Sequence, residues 1–111
     1  MEKGQMKKGV LEMCMLHIIS RGDMYGYEMI ETLRKKSDNV FELKAGSLYP
    51  LLHSLEEKEF LTSYQDDSSG KKRKYYQLTA SGKKQVREKK KEWETYQKAV
   101  TNVLSFAGGV R

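Results

Sequence analysis

The apolar residues near the N-terminus recur every three or four positions, as they do on one face of a helix. This first set comprises Val10, Leu11, Cys14, Met15, Ile18 and Ile19. The pattern predicts a first helix over residues 5–20, followed by a break at Arg21-Gly22. A second amphipathic pattern predicts a helix that Asp23 caps and that ends near Lys36. Its apolar members are Tyr25, Met29, Ile30 and Leu33.

A third helical pattern surrounds the one proline of the chain, and consists of Leu48, Leu51, Leu52 and Leu55. Proline lacks a backbone donor and clashes with the carbonyl four residues earlier, so a helix interior loses roughly 3 kcal/mol whereas the first turn tolerates it. We therefore expect Ser47 or Ala45-Gly46 to cap this helix, with Pro50 within or next to its first turn. The connector before it is expected to contain a short extended piece at 40–43.

After Phe60 the periodicity changes. The segments LTSYQDD and KRKYYQL are rich in Thr, Tyr and Leu, and SSGK between them supplies turn residues, so they predict an antiparallel hairpin. A last helix follows, with Thr79 as its cap and with Gly82 merely weakening its first turn. Its apolar positions repeat at steps of three, four and seven and form a heptad seam, namely Val86, Trp93, Tyr96, Val100, Val103 and Ala107. Lys89 interrupts that seam.

Helix, helix, helix, hairpin and long helix is the order of a winged helix-turn-helix with a dimerisation arm. The last helix, at about 28 residues, would be roughly 40 Å long, which exceeds what one small core can cover. We expect its seam to pack on a second copy of the chain, aided by the first helix. The predicted fold is mainly α (α+β), with a two-stranded wing in residues 1–78 and a dimerisation helix in residues 79–111, all in one continuous unit.

Charge is concentrated in one part of the chain. The net charge is +6, and residues 71–91 carry ten Lys or Arg against one acidic residue, a local charge of +9. Such a block indicates a polyanionic partner, either nucleic acid or an acidic membrane face. The alternative is a solvated, lysine-rich helix face, which is the role expected of Lys83, Lys84, Arg87 and Lys89–Lys91.

Several classes of protein are not expected. Cys14 is the sole cysteine, which fits a reducing compartment. No apolar run approaches the roughly 20 residues that span a bilayer, and MEKGQMKKG lacks the apolar core of a signal peptide, so we expect a cytoplasmic protein without a membrane partner. There is no phosphate-binding glycine loop and no cysteine pair, so neither an enzyme nor a cofactor is expected. Cys14 and His17 give two metal ligands at most, and no metal site is predicted.

Three segments, YGYEMIETL, GSLYPLLHSLEEKEFL and RKYYQLTASGKK, resemble the PadR family of bacterial transcription regulators. The resemblance runs from Leu11 into the last helix and matches the short branch with a single C-terminal helix. It implies a homodimeric, DNA-binding repressor of winged-helix fold whose recognition helix begins near Gly46. Two features depart from the family. Glu59 stands where members commonly have glycine, and Asp66 and Asp67 make the tip of the wing acidic.

The expected DNA contacts lie on the recognition helix and the wing. The first turn of that helix can direct unpaired amides at a phosphate, with hydroxyl donors from Ser47 and Tyr49. In the wing, contacts are expected at residues 71–74, at the start of its second strand. Side chains alternate between the two faces of a strand, so about two of these four cations can reach one DNA strand. The predicted DNA-binding residues are Tyr25, Lys44, Gly46, Ser47, Tyr49, His53, Lys71, Lys72, Arg73 and Lys74.

Alternatives stay open for the aromatic and histidine side chains. Tyr49 could simply pack against the second helix, and His53 could be a surface residue without a role. The Tyr27 side chain could equally be buried or donate to the phosphate backbone. Of the pair Tyr75-Tyr76, one residue should face the core, and aromatic rings beside cations keep single-stranded nucleic acid as a lesser option.

Trp93, the one tryptophan, lies on the heptad seam. In a two-fold dimer its indole and the partner's would approach and form an apolar slot for a small planar aromatic effector. The resemblance implies a candidate effector pocket lined by Met15, His17, Trp93, Tyr96 and Val100, although Trp93 could equally serve packing alone. The dimer interface is predicted to contain Val86, Trp93, Tyr96, Val100, Val103 and Ala107.

The predicted function is a PadR-like repressor that binds an inverted-repeat operator in double-stranded DNA as a homodimer and is released by an aromatic effector. The alternative is a basic coiled-coil interaction protein that docks on an acidic partner or a membrane surface without reading sequence. These two functions differ in one measurable property, which is discrimination between DNA sequences.

Overall fold

The computed structural model describes residues 8–109, and it confirms the predicted order of the helices and the hairpin. The elements are α1 (Lys8–Ser20), β1 (Met24–Tyr25), α2 (Gly26–Lys36), α3 (Ala45–Glu57), β2 (Leu61–Asp66), β3 (Arg73–Leu78) and α4 (Ala80–Leu104). The predicted extension of the first helix back to residue 5 lies outside the described residues. The piece at 40–43, expected to be extended, lies in neither a helix nor a strand.

One apolar core lies between the first three helices, the sheet and the beginning of α4. Its fully buried side chains are Met15, Leu16, Ile19, Met29, Leu48, Leu52 and Leu55. The sheet and α4 close the core with Leu61, Tyr76, Leu78 and Val86. All four leucines of the third helical pattern are buried, as their spacing predicted. The fold is therefore mainly α with a β wing, the predicted winged helix-turn-helix.

The sheet has three antiparallel strands in the order β1-β3-β2. The hairpin pairs from Leu61↔Leu78 to Asp66↔Arg73, and β1 adds the pairs Met24↔Tyr76 and Tyr25↔Tyr75. Tyr76 faces the core and is 3% exposed, whereas Tyr75 points to the other face of the sheet. The predicted division of these two tyrosines between core and surface is confirmed.

The start of α2 differs from the prediction that Asp23 caps it. The N-cap residue is Tyr25, because residues 24–25 are first held in extended form by pairing with β3. The Tyr25 backbone N–H donates to Glu28 Oε1 at 3.2 Å, which satisfies one donor at the helix entry. Asp23 instead accepts a hydrogen bond from the Tyr64 hydroxyl at 2.7 Å and so ties the loop to the wing.

Pro50 lies deeper in α3 than its chemistry predicts. The N-cap residue is Lys44, whose carbonyl accepts from the amides of Ser47 and Leu48, both at 2.9 Å. Neither Ser47 nor Ala45-Gly46 is the cap, and Pro50 falls in the second turn. The proline leaves the Gly46 carbonyl without its usual helical donor. Because both residues are exposed, solvent can hydrate that carbonyl.

The end of α3 is a Schellman motif that places Glu59 in the left-handed region, with φ of 64°. The Phe60 N–H donates to the Leu55 carbonyl at 3.0 Å and the Glu59 N–H donates to the Glu56 carbonyl at 2.9 Å. A residue with a Cβ is disfavoured there by about 1–2 kcal/mol. Glu59, the departure from the family's common glycine, therefore takes the strained left-handed conformation, and the helix ends at Glu57.

The first turn of α4 is fastened to the end of α3. Thr79 caps α4 as predicted, because its Oγ1 accepts from the Gly82 N–H at 2.9 Å. The Thr79 hydroxyl donates to the Glu59 carbonyl at 2.7 Å, and its N–H donates to the Phe60 carbonyl at 3.0 Å. A Cβ on Gly82 would overlap the Phe60 carbonyl oxygen. The expectation that Gly82 merely weakens the helix is wrong, since only glycine fits this approach.

Two residues do not belong to the predicted seam of the long helix. The helix has 25 residues and ends at Leu104, with Ser105 as its C-cap, so Ala107 lies beyond it. Val86 is only 6% exposed and packs into the chain's own core, which leaves it unavailable to a partner. Among the residues described, no helix is long and apolar enough to cross a membrane.

Candidate nucleic-acid interface

The residues predicted on the recognition helix lie on the exposed side of α3. Gly46, Ser47, Tyr49 and His53 are all exposed, opposite the buried leucines, and Lys44 precedes them at the N-cap. The Ser47 amide donates to the Lys44 carbonyl, whereas the amides of Ala45 and Gly46 have no earlier helical carbonyl to bind and carry partial positive charge toward this surface. The N-terminal half of α3 is therefore an uncovered, donor-rich surface.

Tyr49 both contacts α2 and remains half exposed, with 50% of its surface accessible. A Cβ on Gly26 would overlap the Tyr49 hydroxyl oxygen and lie 3.0 Å from the ring carbon that carries it. Tyr49 thus rests on the first residue of α2, where only a glycine leaves room for its ring. The packing role and the exposed hydroxyl are compatible, and the hydroxyl lies at the positive end of a second helix.

Aromatic rings cover the face of the sheet that points away from the core. Tyr75 meets Tyr25 edge to face at 5.5 Å between ring centroids and stacks on Tyr64 at 5.8 Å. The Arg73 guanidinium lies 4.4 Å above the Tyr25 ring centroid, a cation–π geometry. Donation to Asp23, together with the negative charge of that carboxylate, raises the pKa of Tyr64 to about 12. Two of the predicted DNA contacts, Tyr25 and Arg73, therefore touch.

The four cations of the wing divide between the two faces of the hairpin. Lys71 and Lys72 lie exposed in the turn before β3, and Arg73 points to the aromatic face. Lys74 points the opposite way, with Nζ 4.0 Å from Glu56 Oε1 and 5.4 Å from the Tyr76 ring centroid. Lys74 is therefore partly neutralised by α3, and the free positive charge of the wing is at 71–73.

The acidic tip of the wing has a structural role. Asp66 Oδ1 accepts from the Ser68 N–H at 2.8 Å, and this hydrogen bond lowers the pKa of the Asp66 carboxyl. The turn then uses Gly70 at φ of 89°, a conformation that glycine adopts without strain. The acid at this position thus shapes the turn that presents Lys71 and Lys72.

Two predicted side chains have surroundings that the sequence did not specify. His53 Nε2 lies 3.6 Å from Glu57 Oε2 one turn along α3, and both side chains are largely exposed. This carboxylate offsets any positive charge that His53 would bring to a DNA groove. Tyr27 is 63% exposed, so a buried role for it is wrong.

The candidate effector residues lie beside a groove between α1, the end of α2 and α4, with a volume of about 420 Å³. His17 and Trp93 line this groove, together with Met13, Cys14, Leu33 and Phe41. Met15 does not, because it is fully buried in the core. Tyr96 lines an adjacent groove on the other side of Trp93, and Val100 lines neither. Phe41 was missed because nothing in the connector's pattern places it against α4.

Burial changes the chemistry of the two polar side chains in this groove. It raises the pKa of the Cys14 thiol, and burial with the charges of Lys90 and Arg21 lowers the pKa of His17. Both groups are therefore neutral near pH 7, which suits an apolar ligand. No three His, Cys, Asp or Glu side chains between residues 8 and 109 come close enough together to hold a metal ion.

The second half of α4 carries an apolar stripe that nothing in the described part of the chain covers. Its members are Trp93, Tyr96, Val100, Val103 and Leu104, followed by Phe106 beyond the helix. Large exposed apolar patches on soluble proteins mark interaction surfaces. We call this set the α4 stripe.

Comparison with known proteins identifies the family. Residues 15–88 match the transcriptional regulator PadR-like family. The structure resembles a PadR-like transcriptional regulator from Bacillus cereus, with a TM-score of 0.82 and 38% identity over 90% of this chain and 96% of that one. A PadR family transcription regulator from Clostridium difficile gives a TM-score of 0.78 and 35% identity, covering 86% of this chain and 98% of the other.

Two proteins are similar to the chain in sequence. An uncharacterised protein of Lysinibacillus sphaericus is 37% identical over 94 residues, which is 84% of this chain and 86% of that protein. The transcriptional regulator YqjI of Escherichia coli is 28% identical over 92 residues, and the match covers 83% of this chain but only 43% of YqjI. With a family match over most of its length and the same fold, the chain belongs to the PadR-like family of transcriptional regulators.

Proposed function

We propose that the protein is a repressor that binds an inverted-repeat operator in double-stranded DNA as a homodimer. One observation carries this proposal: an unbroken set of contacts joins α3 to the wing. Tyr49 of α3 rests on Gly26, the first residue of α2. Gly26 follows the N-cap residue Tyr25, and Arg73 of β3 lies over the Tyr25 ring. Hydroxyl donors, helix N-termini and a guanidinium thus form one surface of the kind that binds a phosphate backbone.

The division of charge supports this orientation toward DNA. Lys71, Lys72 and Arg73 extend from the wing at one end of that surface, where they would release counterions from the adjacent backbone. The exposed side chains of the N-terminal half of α3 would enter the major groove and contact base edges. The acidic residues of α3, Glu56 and Glu57, lie at its far end.

The α4 stripe supports the homodimer. A single chain leaves these apolar side chains in water, and a two-fold contact between two stripes would bury both sets. The extents of one chain, 66 × 29 × 20 Å, show how far α4 projects from the core. Two recognition helices held by such a dimer would enter major grooves roughly 34–36 Å apart on one side of the duplex.

A gel-shift series with the DNA upstream of the protein's own gene tests the function. The labelled fragment is challenged with scrambled competitor at several salt concentrations. Retention of the native fragment against scrambled DNA supports operator recognition. Loss of the labelled fragment to the scrambled competitor, with a steep dependence on salt, would support instead a basic interaction protein that binds any polyanion.

Tyr49→Phe is expected to weaken operator binding roughly 5- to 150-fold, since two hydroxyl contacts of about 0.5–1.5 kcal/mol each are lost per dimer. The ring that packs on Gly26 is retained, so the thermal unfolding temperature should not change. Thr95→Val, which removes an exposed hydroxyl from a side of α4 turned away from the α4 stripe, is the matched control and should bind as tightly as wild type. Wild-type affinity in the Tyr49→Phe protein would refute the assigned contact.

We propose further that a planar aromatic effector binds in the groove beside Trp93 and releases the operator. The groove is apolar, its histidine and cysteine are neutral near pH 7, and Trp93 forms part of its wall. Since Trp93 is the sole tryptophan, its emission reports this site alone. Titration with planar aromatic compounds should quench the emission and lower operator affinity together. An emission unaffected by a broad panel of such compounds would count against the effector.

A further inference from the structure

Glu12 is a buried acidic side chain that the DNA-binding surface does not use. It lies on α1 among apolar neighbours and is only 5% exposed. Lys58 Nζ approaches its Oε2 at 3.3 Å and Lys89 Nζ approaches its Oε1 at 3.7 Å. Lys58 is the C-cap of α3, and Lys89 lies two turns into α4. One carboxylate, with a lysine on each oxygen, therefore joins the recognition helix to the long helix; we call these three residues the Glu12 bridge.

The other ion pairs of the described residues differ from this arrangement. Glu31 with Arg34 and His53 with Glu57 each lie within one helix. Lys74 and Glu56 connect β3 to α3, but at 4.0 Å and with the Glu56 side chain 27% exposed, against 7% for that of Glu12. A buried carboxylate is costly to leave unpaired, so each lysine is held to it more firmly than a surface partner would be.

The Glu12 bridge is the second of two attachments between the end of α3 and α4. The first is the junction at Thr79, which bonds the carbonyls of Glu59 and Phe60. About ten residues of α4 separate Thr79 from Lys89, a distance of roughly 15 Å along the helix axis. One attachment fixes where a helix starts, whereas two attachments also fix its direction. Without the bridge, only the packing of α4 on α1 and the burial of Val86 would oppose a tilt of α4 about its first turn.

We propose that the Glu12 bridge is a positioning device that sets the angle between the recognition helix and the long helix. In a dimer joined through the α4 stripe, this angle determines the separation and rotation of the two recognition helices. The bridge therefore selects the operator half-site spacing, although Glu12 itself contacts no DNA. The effect on half-site spacing rests on the proposed function, whereas the angle between α3 and α4 is a property of the single chain.

The geometry is tested first without DNA. Spin labels at His53→Cys and Lys98→Cys, in a Cys14→Ala background, report the distance from α3 to α4 when a labelled chain is diluted with unlabelled protein. Glu12→Gln, Lys58→Met and Lys89→Met should each broaden the distance distribution by a similar amount. Lys58→Met and Lys89→Met together should broaden it no further, because one broken link already frees the helix.

Glu31→Gln is the matched control, since it removes a carboxylate from an ion pair that joins no two elements, and it should leave the distribution unchanged. Lys89→Met retains the apolar stem and the Glu12–Lys58 contact, so it keeps the test valid if Glu12→Gln fails to fold. Distributions in the folded bridge variants that match wild type would overturn the inference, whatever the protein does with DNA.

The consequence is tested with inverted repeats whose spacing is changed by one base pair, which moves a half-site by roughly 3.4 Å and turns it by about 34°. Wild type should discriminate sharply between spacings. In Lys89→Met the ratio of affinities should fall at least about fivefold, the lower limit of ordinary coupling. A bridge variant that binds the operator and keeps the wild-type ratio of affinities for the two spacings would refute the role of the bridge in selecting the spacing, but not the proposed function. Failure of wild type itself to prefer operator DNA would refute the proposed function, and the label distances would still decide the geometry.

Discussion

Val103→Glu is expected to make the protein monomeric at micromolar concentration and to lower operator affinity by on the order of 100-fold or more. Val103 belongs to the α4 stripe and is 71% exposed in the single chain, so the core does not depend on it. In a two-fold interface the substitution occurs twice, and two carboxylates would be buried without partners. Sedimentation velocity measures the association, and fluorescence anisotropy with labelled operator measures the affinity.

Asn102→Glu is the matched control for this experiment. It adds the same charge one residue earlier, on a side of α4 turned away from the stripe, and residue 102 is exposed. The control should dimerise and bind operator as wild type does. A Val103→Glu protein that remains dimeric would show that the copies associate through another surface, and would remove the basis for the predicted half-site separation.

Sequence periodicity predicts well those elements that bury one face in the core, because their apolar residues then recur at regular spacing. The leucines of α3 repeat at helical spacing because one face of that helix packs into the core, against α2 and β2. The hairpin was identifiable because two segments rich in Thr, Tyr and Leu flank the turn residues SSGK, and the structure buries Leu61, Tyr76 and Leu78 from those segments. Thr79 was identifiable as a cap because its hydroxyl chemistry acts only three residues away.

Features that depend on distant residues were not predictable in this way. The residue Glu12 interrupts an apolar face without any local sign that Lys58, 46 positions later, will approach it. The one signal was Lys89, an unexplained polar residue in the heptad seam, and the bridge to Glu12 now accounts for it. Similarly, β1 is two residues long and exists only because β3 pairs with it. The helix start at Ala45 shows that tertiary packing outweighs the preference of Pro50 for a first turn.

Gly82→Ala is expected to destabilise the fold by about 2–4 kcal/mol, as the sum of overpacking and a lost hydrogen bond. A Cβ at this position would overlap the Phe60 carbonyl oxygen and lie 3.1 Å from Leu78 Cδ2. The carbonyl cannot move away freely, because it accepts the Thr79 N–H at 3.0 Å. The first turn of α4 must then shift and weaken its attachment to the end of α3. Urea unfolding, followed by circular dichroism, measures the change.

Gly9→Ala is the natural comparison, because Gly9 also lies in a helix and a Cβ there meets nothing within 4 Å. At such an open position alanine should stabilise the helix by about 0.5–1 kcal/mol. The same substitution is thus expected to have opposite signs in α1 and α4. A Gly82→Ala protein as stable as wild type would mean that the α3–α4 junction is loose. The angle between recognition helix and long helix would then depend more strongly on the Glu12 bridge, and bridge variants should broaden that angle even more.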